Sequence, residues 1–480
     1  MNQHEKNLLD RAYQAVEDNK ENIKKDPYRL HFHIMPPVGL LNDPNGFIQF
    51  NDVYHLFYQW NPFETNHGSK FWGHYTSIDL VSWKHEPIAL APSEWYEKNG
   101  CYSGSAVEND GEMVLFYTGN VKDAQGNRET YQCMAISKDG ITFEKKGPVI
   151  HLPKGYTAHF RDPKVWKKDN RWYMVLGAQD LSELGNIVLY SSENLTEWEF
   201  HGTVAGPNRN GIDSFGYMWE CPDLFELDGK DVLLLSPQGI EPEGYRYHNI
   251  FQTGYFLGSL NYENHEFIHG KFEELDRGFD LYAPQTTLDN KGRRLLFGWM
   301  GITDENEQDQ PTIQNGWIHA MTLPRKLSLQ GDKLFQQPVE ELEELRKNEM
   351  VYRGVHLSGF SLSLDGVRGK TLELDLSQIK NESAIFEITF RGNAKLEYSS
   401  SENRISLHRT SFKGDTTESR HCHLENLEKL QIFLDTSSIE VFVNDGEEVF
   451  TARFFPSDDD QSIVFSAEGD ITFDVKKWDL

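Results

Sequence analysis

The 480-residue sequence is 38 % hydrophobic, which is enough to bury a large core, and its length favours two domains over one. It carries 47 basic and 75 acidic side chains, a formal charge of −28. This charge argues against nucleic-acid or anionic-membrane partners, because both bind basic patches. The four cysteines are far apart and form no C-x-x-C pair, so neither a disulfide scaffold nor a zinc site is expected.

The N-terminal segment predicts one short amphipathic helix. Residues 5–24 carry an apolar side made of Leu8, Leu9, Ala12, Ala15 and Val16. Charged residues interrupt every apolar run there, unlike a signal peptide, and no stretch approaches the roughly 18 apolar residues of a membrane span. We therefore expect a cytoplasmic protein, provided that no upstream leader is missing.

Beyond this helix the chain consists of short apolar runs separated by turn-forming Asn, Asp and Gly residues, which predicts strands. Five runs recur about every 60 residues, each after a turn dipeptide: YHLFYQ from Tyr54, MVLFYT from Met113, YMVLGA from Tyr173, VLLLSP from Val232 and RLLFGW from Arg294. About four strands fit into each unit, which is typical of a β-propeller and predicts five blades over about residues 30–335. The alternative is a sandwich with coincidental spacing.

A second domain is predicted after the last blade. Residues 338–350 have a helix-forming composition. From about residue 352, polar and apolar residues alternate, which predicts a β-sandwich with one packed and one solvated face. The predicted fold is all-β: a five-bladed β-propeller followed by a β-sandwich, with a short N-terminal helix and a linker helix. The predicted divisions are residues 1–30, 31–335, 336–351 and 352–480.

Each unit also has a cluster of polar, Gly and Pro residues ahead of its aligned run. These clusters fall at the start of each blade's first strand, which lines the central axis of a propeller. They are Asn42-Asp43-Pro44-Asn45-Gly46, Tyr102-Ser103-Gly104-Ser105, Arg161-Asp162-Pro163, Glu220-Cys221-Pro222-Asp223 and Tyr282-Ala283-Pro284-Gln285.

Three carboxylates from distant parts of the chain, Asp43, Asp162 and Glu220, are therefore expected to meet in one pocket. Their repulsion in a site partly shielded from water should split their pKa values, so that one acid keeps its proton while another is ionised. Glycoside hydrolysis requires this combination. Because Asp-Pro is also an ordinary turn former, the prediction depends on the three acids recurring in phase with the repeat.

The same clusters resemble the signature motifs of family 32 glycoside hydrolases, a family of invertases, inulinases, levanases and sucrose-6-phosphate hydrolases. The resemblance runs from about His31 to the C-terminus and includes Gly316–Arg325 and Asp435–Asn444. It is closest to the bacterial cytoplasmic sucrose-6-phosphate hydrolase branch, through the segments His31–Pro37, Gly126–Cys133 and Gly155–Phe160. It implies a five-bladed propeller plus a β-sandwich, in agreement with the repeat count.

The resemblance also implies roles for individual residues. Asp43 matches the nucleophile, Glu220 the general acid/base, and Asp162 the acid that holds fructosyl hydroxyls. Retaining hydrolysis through a covalent fructosyl-enzyme is implied, and a raised pKa is expected on Glu220 so that it holds its proton. Further positions match sugar-contacting residues of the family: Leu40, Leu41, Asn42, Gln59, His67, Tyr102, Ser103, Arg161 and Trp299. At 40–41 many members have Trp-Met, and at 67 some have Trp.

The implied function is hydrolysis of the β-fructofuranosyl bond of sucrose-6-phosphate or sucrose. Two alternatives stay open: a fructan hydrolase or fructosyltransferase with the same catalytic residues, and a non-catalytic sugar-binding protein. Cys221 is expected either to tune Glu220 through a weak S–H contact or to fill space. A 6-phosphate needs basic side chains near the pocket mouth, and the candidates are Arg246, His248, His319 and Lys154.

No metal or cofactor is expected, because the 18 histidines show no H-E-x-x-H or similar spacing. His31 and His33 are interpreted as core or rim residues. The expected partner is a small sugar substrate, with no nucleic acid and no membrane, and the chain is expected to be a monomer or a homodimer.

Overall fold

The computed structural model describes residues 2–212, 214–304 and 306–480. The first element is helix α1 (Gln3–Lys24), whose N-cap residue Asn2 accepts a hydrogen bond from the Glu5 N–H at 2.8 Å. The predicted apolar side of α1 packs against the core of the first blade, with Ala12 fully buried. Among the described residues, no helix combines the length and the apolar character needed to cross a membrane.

Within the described residues, five mainly antiparallel sheets follow in chain order. The first three sheets contain β1 (Gly39–Phe50), β2 (Val53–Asn61), β3 (Phe71–Ser77) and β4 (Lys84–His85); β5 (Cys101–Asn109), β6 (Glu112–Lys122), β7 (Arg128–Ser137) and β8 (Glu144–His151); β9 (Tyr156–Lys168), β10 (Arg171–Asp180), β11 (Gly185–Ser192) and β12 (Glu199–Ala205). The fourth contains β13 (Met218–Leu227), β14 (Lys230–Gln238), β15 (Gly254–Asn261) and β16 (Glu266–Glu274).

The fifth sheet closes the domain. It contains β17 (Tyr282–Leu288) and β18 (Arg294–Met300), then, after 3-10 turns at Glu307–Asp309 and Pro311–Asn315, β20 (Ala320–Met321), β21 (Arg325–Gln330) and β22 (Lys333–Pro338). The intervening short strand β19 (Trp317–Ile318) instead pairs in parallel with β1 of the first sheet. A strand from the end of the domain therefore completes its first blade.

The first strands of the five sheets form the ring that a propeller requires. β1 contacts β5, β5 contacts β9, β9 contacts β13, β13 contacts β17, and β17 returns to β1. The five aligned apolar runs all lie in the second strands, which are buried along almost their whole length. A strand covered on both faces carries a continuous apolar run, which is why these runs dominate the sequence pattern.

The linker is shorter than a regular helix. Its helical part is a 3-10 segment, Glu340–Leu345, anchored by the buried Leu342. The next strand, β23 (Lys347–Ser358), begins before residue 352 because Lys347 already pairs with Asp479 at the far end of the chain. The requirement to enter the second domain's sheet ends the helix there.

The second domain is a sandwich of two six-stranded sheets. Its other strands are β24 (Ser361–Leu362), β25 (Leu372–Asn381), β26 (Ile385–Phe390), β27 (Ala394–Ser399), β28 (Arg404–Thr410), β29 (Thr417–His423), β30 (Leu430–Asp435), β31 (Ser438–Val443), β32 (Glu448–Arg453), β33 (Ile463–Glu468) and β34 (Asp470–Asp479). The sheet orders are 23-34-25-30-31-32 and 24-33-26-27-28-29, with one aliphatic and aromatic core between them.

A buried charge network joins the two domains. His33 Nδ1 lies 2.8 Å from Asp435 Oδ2, and His33 Nε2 lies 3.0 Å from Glu440 Oε1. Arg325 Nη2 donates to the other Glu440 oxygen at 2.6 Å. Burial opposes the charge of His33, but its hydrogen bonds to Asp435 and Glu440 raise the pKa of His33 to about 9. The imidazolium form, which donates from both nitrogens, is therefore the native one.

Candidate active site

A β-bulge interrupts each of the five innermost strands at the predicted polar cluster. The register shifts fall between Leu41 and Pro44, Tyr102 and Gly104, Arg161 and Lys164, Glu220 and Asp223, and Tyr282 and Gln285. A bulge bends a strand and re-aims the side chain at that point. The repeated clusters are thus the places where the five strands turn side chains toward the axis.

The bulged residues surround one small central cavity, lined from all five strands by residues that include Pro44, Ser103, Asp162, Cys221 and Ala283. Asp162 and Cys221 adopt left-handed backbone conformations, with φ of 66° and 49°. Non-glycine residues hold such conformations only where the surrounding structure enforces them. A larger groove of about 1050 Å³ lies between the fourth and fifth blades and the sandwich, and none of the three predicted acids lines it.

Hydrogen bonds fix the Asp43 carboxylate at both oxygens. Ser103 Oγ donates to Asp43 Oδ2 at 2.5 Å, and Asn42 Nδ2 donates to Asp43 Oδ1 at 3.0 Å. Gln59 links these two donors, because its Nε2 donates to Ser103 Oγ at 2.8 Å and its Oε1 accepts from Asn42 at 3.2 Å. Three predicted sugar-contacting residues therefore also orient the predicted nucleophile.

Asp162 meets Asp43 at the thiol of Cys221. Cys221 Sγ lies 3.7 Å from Asp43 Oδ2 and 3.6 Å from Asp162 Oδ2, and the Cys221 N–H donates to Asp162 Oδ2 at 3.0 Å. Burial, and then the charges of Asp162 and Asp43, raise the pKa of the Cys221 thiol. The expected S–H contact is therefore made, but to the two aspartates and not to Glu220.

Glu220 receives donors at both carboxylate oxygens. Arg161 donates to Oε1 from Nη2 at 2.6 Å and from Nε at 3.0 Å. Gln238 Nε2 and the Tyr282 hydroxyl both donate to Oε2 at 2.7 Å. Arg161 also lies 4.0 Å from Asp162 Oδ2. The Arg161 guanidinium is therefore close to both acids, and it pairs with Glu220 more closely than with its sequence neighbour Asp162.

One of the three acids, Asp162, has a raised pKa. Burial raises the pKa of Asp162, Arg161 opposes this, and the charges of Glu220 and Asp43 add to it. Asp162 is only 6 % exposed and faces two other carboxylates, whereas the partly exposed Glu220 faces Arg161. The raised pKa therefore lies on Asp162, the one buried acid of the three.

A buried lysine that the sequence did not single out supports the nucleophile. Lys70 Nζ donates to Asn42 Oδ1 at 2.5 Å and lies 3.1 Å from His67 Nδ1. Burial lowers the pKa of Lys70 to about 8, against the attraction of Asp43 and Glu307. Lys70 directly precedes strand β3, and a single charged residue before an apolar run is an ordinary strand boundary, so no sequence signal marked it.

His67 belongs to a cluster that is linked to the nucleophile through Lys70 and Asn42. His67 Nε2 and His319 Nε2 each lie 2.8 Å from Glu307 Oε1, and these three residues could hold a metal ion. The distances also fit two imidazole N–H groups that donate to one carboxylate oxygen, with His67 Nδ1 free to accept from Lys70. Burial, followed by Lys70, lowers the pKa of His67 and favours this neutral form.

The remaining predicted contacts divide into two groups. Tyr102 is half-buried beside Ser103, and Trp299 packs edge-on against His67, His319 and Tyr282. Leu40 and Leu41, in contrast, have no exposed surface. Their predicted contact with substrate is therefore corrected, since both side chains pack behind the wall and neither presents an accessible atom.

Most of the candidate phosphate ligands form hydrogen bonds with other parts of the protein. His319 is fully buried against Glu307, and Arg246 donates to the Phe272 carbonyl at 2.6 Å. His248 Nε2 lies 2.8 Å from the Gly244 carbonyl, and Lys154 lies in the exposed turn after β8. None of these contacts reaches the three acids.

Comparison with known proteins identifies the family of the chain. Residues 33–338 match the glycosyl hydrolases family 32 N-terminal domain, and residues 341–479 match the glycosyl hydrolases family 32 C-terminal domain. A protein from Bacillus subtilis named sucrose-6-phosphate hydrolase is 54 % identical over 480 residues, which is all of both chains.

Two solved structures share the complete fold. The sucrose-6-phosphate hydrolase from Lactobacillus gasseri superposes with a TM-score of 0.88 at 32 % identity, over 98 % of this chain and 96 % of that one. A mutant Bombyx mori GH32 beta-fructofuranosidase in complex with sucrose gives 0.85 at 34 % identity, over 98 % of both chains. With both domain signatures matched along nearly its whole length, the chain belongs to glycosyl hydrolase family 32.

Proposed function

We propose that this chain is a retaining β-fructosidase that hydrolyses the β-fructofuranosyl bond of sucrose-6-phosphate and of sucrose. The observation that carries the proposal is that Asp43 and Asp162 both contact Cys221 Sγ. Glu220 directly precedes Cys221 on the bulged strand β13. The substrate follows from the Bacillus subtilis relative, which is named for sucrose-6-phosphate and matches along its full length.

Asp43 acts as the nucleophile. Ser103 and Asn42 hold its two oxygens in fixed directions, so little reorganisation is needed before attack on the fructosyl anomeric carbon. The bond from that carbon to the bridging oxygen breaks as the bond to Asp43 forms. The product of this step is a covalent fructosyl-enzyme.

Glu220 supplies the proton that the bridging oxygen takes up. Its Oε1 faces the guanidinium of Arg161, which can only donate, so the proton resides on Oε2. There the Tyr282 hydroxyl can turn from donor to acceptor. In the second half-reaction Glu220 removes a proton from water, the hydroxide oxygen attacks the anomeric carbon, and Asp43 leaves as a carboxylate.

Asp162 holds the fructosyl hydroxyls beside the reacting carbon. Its Oδ2 and the Oδ2 of Asp43 lie 3.6 and 3.7 Å from the same sulfur, Cys221 Sγ, so a sugar bonded to Asp43 would lie within reach of Asp162. Arg161 links it electrostatically to Glu220. Asp162 thus orients the ring whose charge develops in the transition state.

Product analysis tests the proposal. The purified chain is incubated with sucrose-6-phosphate, sucrose and inulin, with an Asp43→Asn variant as the matched inactive control. We expect equal amounts of fructose and of glucose 6-phosphate or glucose, and a higher kcat/KM for the phosphorylated sugar. Longer fructosides from sucrose would indicate a transferase. Sugar binding without turnover in both proteins would indicate a binding protein and contradict the proposal.

The charge of the substrate also bears on location. A sugar phosphate is an anion, and burying a charge in a bilayer is costly, so phosphorylated sucrose stays in the compartment where it is made. We propose that the chain acts in the cytoplasm, which cell fractionation with an antibody against the chain would test.

A further inference from the structure

The hairpin formed by β6 and β7 leads from the catalytic acids to the pocket rim. At its base, Thr118 Oγ1 accepts from the Asp162 N–H at 3.0 Å. On the same face, Thr130 Oγ1 and Gln132 Nε2 donate to the Phe160 carbonyl at 2.9 and 3.1 Å. Alternate residues of a strand share a face, so this face, which contacts strand β9 beside Asp162, continues outward to the end of the hairpin.

Two cations stand at that end. Lys122 and Arg128 are directly opposite each other in the β6–β7 register, two residues beyond Asn120 and Thr130. Like charges in this position destabilise a strand pair. Within residues 2–212, 214–304 and 306–480, neither forms a salt bridge, although the protein carries a net charge of −28. An anion between them would relieve the repulsion.

The acidic residues nearest to these cations in sequence have other partners. Asp123 Oδ1 accepts from the backbone N–H groups of Gln125 and Asn127 at 2.9 and 2.8 Å. Glu129 Oε2 accepts from the Tyr131 hydroxyl at 2.8 Å, on the opposite face of β7. The two positive charges therefore stay unneutralised on the face of the hairpin that carries Thr118 and Thr130.

Arg128 lies close to Tyr102 and His159, two residues that adjoin the predicted site. Its guanidinium carbon is 5.9 Å from the centre of the Tyr102 ring, and Tyr102 directly precedes Ser103. His159 Nδ1 lies 3.1 Å from Arg161 Nη1. Burial, followed by the charges of Arg161 and Arg128, lowers the pKa of His159 to about 4. Arg128 is thus on the same side of the mouth as Arg161, the partner of Glu220.

From this arrangement we propose that Arg128, assisted by Lys122, binds the 6-phosphate of the glucosyl leaving group, whose oxygen takes its proton from Glu220. Arg161 is already paired with Glu220, so Arg128 is the guanidinium at this rim that can take a phosphate in a bidentate contact. The inference rests on the proposed function, since it names the residues that distinguish sucrose-6-phosphate from sucrose in the same site.

The test compares kcat/KM for the two substrates in wild type, Arg128→Gln and a control, Arg171→Gln. Arg171 is a partly exposed propeller arginine paired with Glu199 at 3.3 Å, so the control removes the same charge at another place. We expect Arg128→Gln to lower kcat/KM for sucrose-6-phosphate by roughly ten- to a hundredfold and to leave sucrose within about twofold. The control should match wild type on both.

A second readout needs no phosphorylated substrate. Glucose 6-phosphate should inhibit sucrose hydrolysis, and its inhibition constant should rise in Arg128→Gln by a similar factor, while inhibition by glucose stays constant. Equal losses on both substrates, or no loss on either, would overturn the phosphate assignment while the β-fructosidase proposal stands. A wild-type protein that hydrolyses neither substrate would instead defeat the proposed function itself.

Discussion

Replacing the buried Lys70 should lower the activity of the enzyme and leave its thermal stability nearly unchanged. The Lys70→Met variant keeps a similar shape but removes the charge and the donor to Asn42 Oδ1. Asn42 is then free to rotate, and its Nδ2 no longer holds Asp43 Oδ1 in place. Loss of one charge-assisted bond corresponds to about 1.5–3 kcal/mol, so kcat/KM for sucrose should fall by roughly ten- to a hundredfold.

Stability should respond differently. The pKa of Lys70 falls from its ordinary 10.5 to about 8, so holding the charge in the fold costs about 3 kcal/mol at neutral pH. That cost is present below pH 8 and disappears as the pH rises toward 10.5. Methionine removes it but leaves Asn42 Oδ1 and His67 Nδ1 without a donor, at about 1–3 kcal/mol each. The effects nearly cancel, so Tm should stay within about 5 °C of wild type.

The assay is a pH profile of kcat/KM on sucrose, whose ionisation does not change in this range, together with thermal unfolding. Wild-type activity should fall as the pH rises through about 8, where Lys70 loses its proton, and this limb should be absent in Lys70→Met. As a control, Lys145→Met breaks a buried pair with Glu97 in the second blade and should lower Tm without altering the profile. A Lys70→Met enzyme within about threefold of wild-type activity, with the alkaline limb intact, would refute the reasoning.

Two further predictions follow from buried groups. The pKa of His33 is raised from 6.5 to about 9, so the stability that its charge contributes is complete below pH 6.5 and is lost as the pH rises through 9. Urea unfolding should therefore show that the free energy of unfolding falls by about 3 kcal/mol across that range. A His33→Gln variant that keeps the full loss would contradict the assignment of this loss to His33. The raised pKa of Cys221 keeps its thiol protonated, so iodoacetamide at pH 8 should leave Cys221 unmodified in the folded protein and label it after unfolding, as peptide mass spectrometry would report; rapid labelling of the native protein would contradict this.

The propeller was predictable because its signals are local and repeated. The aligned runs from Tyr54, Met113, Tyr173, Val232 and Arg294 each fill a second strand that is covered on both faces. The polar clusters recur in phase because every first strand bulges at the same level. A periodic sequence can therefore indicate which acids meet, even though they are distant along the chain.

The partners of those acids were not predictable in the same way. Alternation along a strand places Arg161 and Asp162 on opposite faces, but the bulge and the positive φ of Asp162 let Arg161 lie near both Asp162 and Glu220. The contact between His67 and Glu307 depends on loops of different blades, and such contacts leave no local pattern.

Packing explains why Leu40 and Leu41 are not exposed to the pocket. The resemblance aligned Leu40 and Leu41 with substrate contacts, yet strand pairing with Asn61, Trp60 and Ile318 encloses both. Tertiary contacts also outweigh local composition in the linker, because the start of β23 limits a helix-forming sequence to a 3-10 segment. Tertiary contacts in each case determine what local composition leaves undecided.

The most direct test of the account is to trap the fructosyl group on its nucleophile. A Glu220→Gln variant cannot activate water, but fluoride leaves without a proton donor, so β-fructofuranosyl fluoride should fructosylate this variant and the intermediate should accumulate. Peptide mass spectrometry of the quenched enzyme should find one added fructosyl residue on Asp43. An adduct on Asp162 or elsewhere, or turnover of the fluoride at the wild-type rate with no adduct, would contradict the assignment of Asp43 and Glu220.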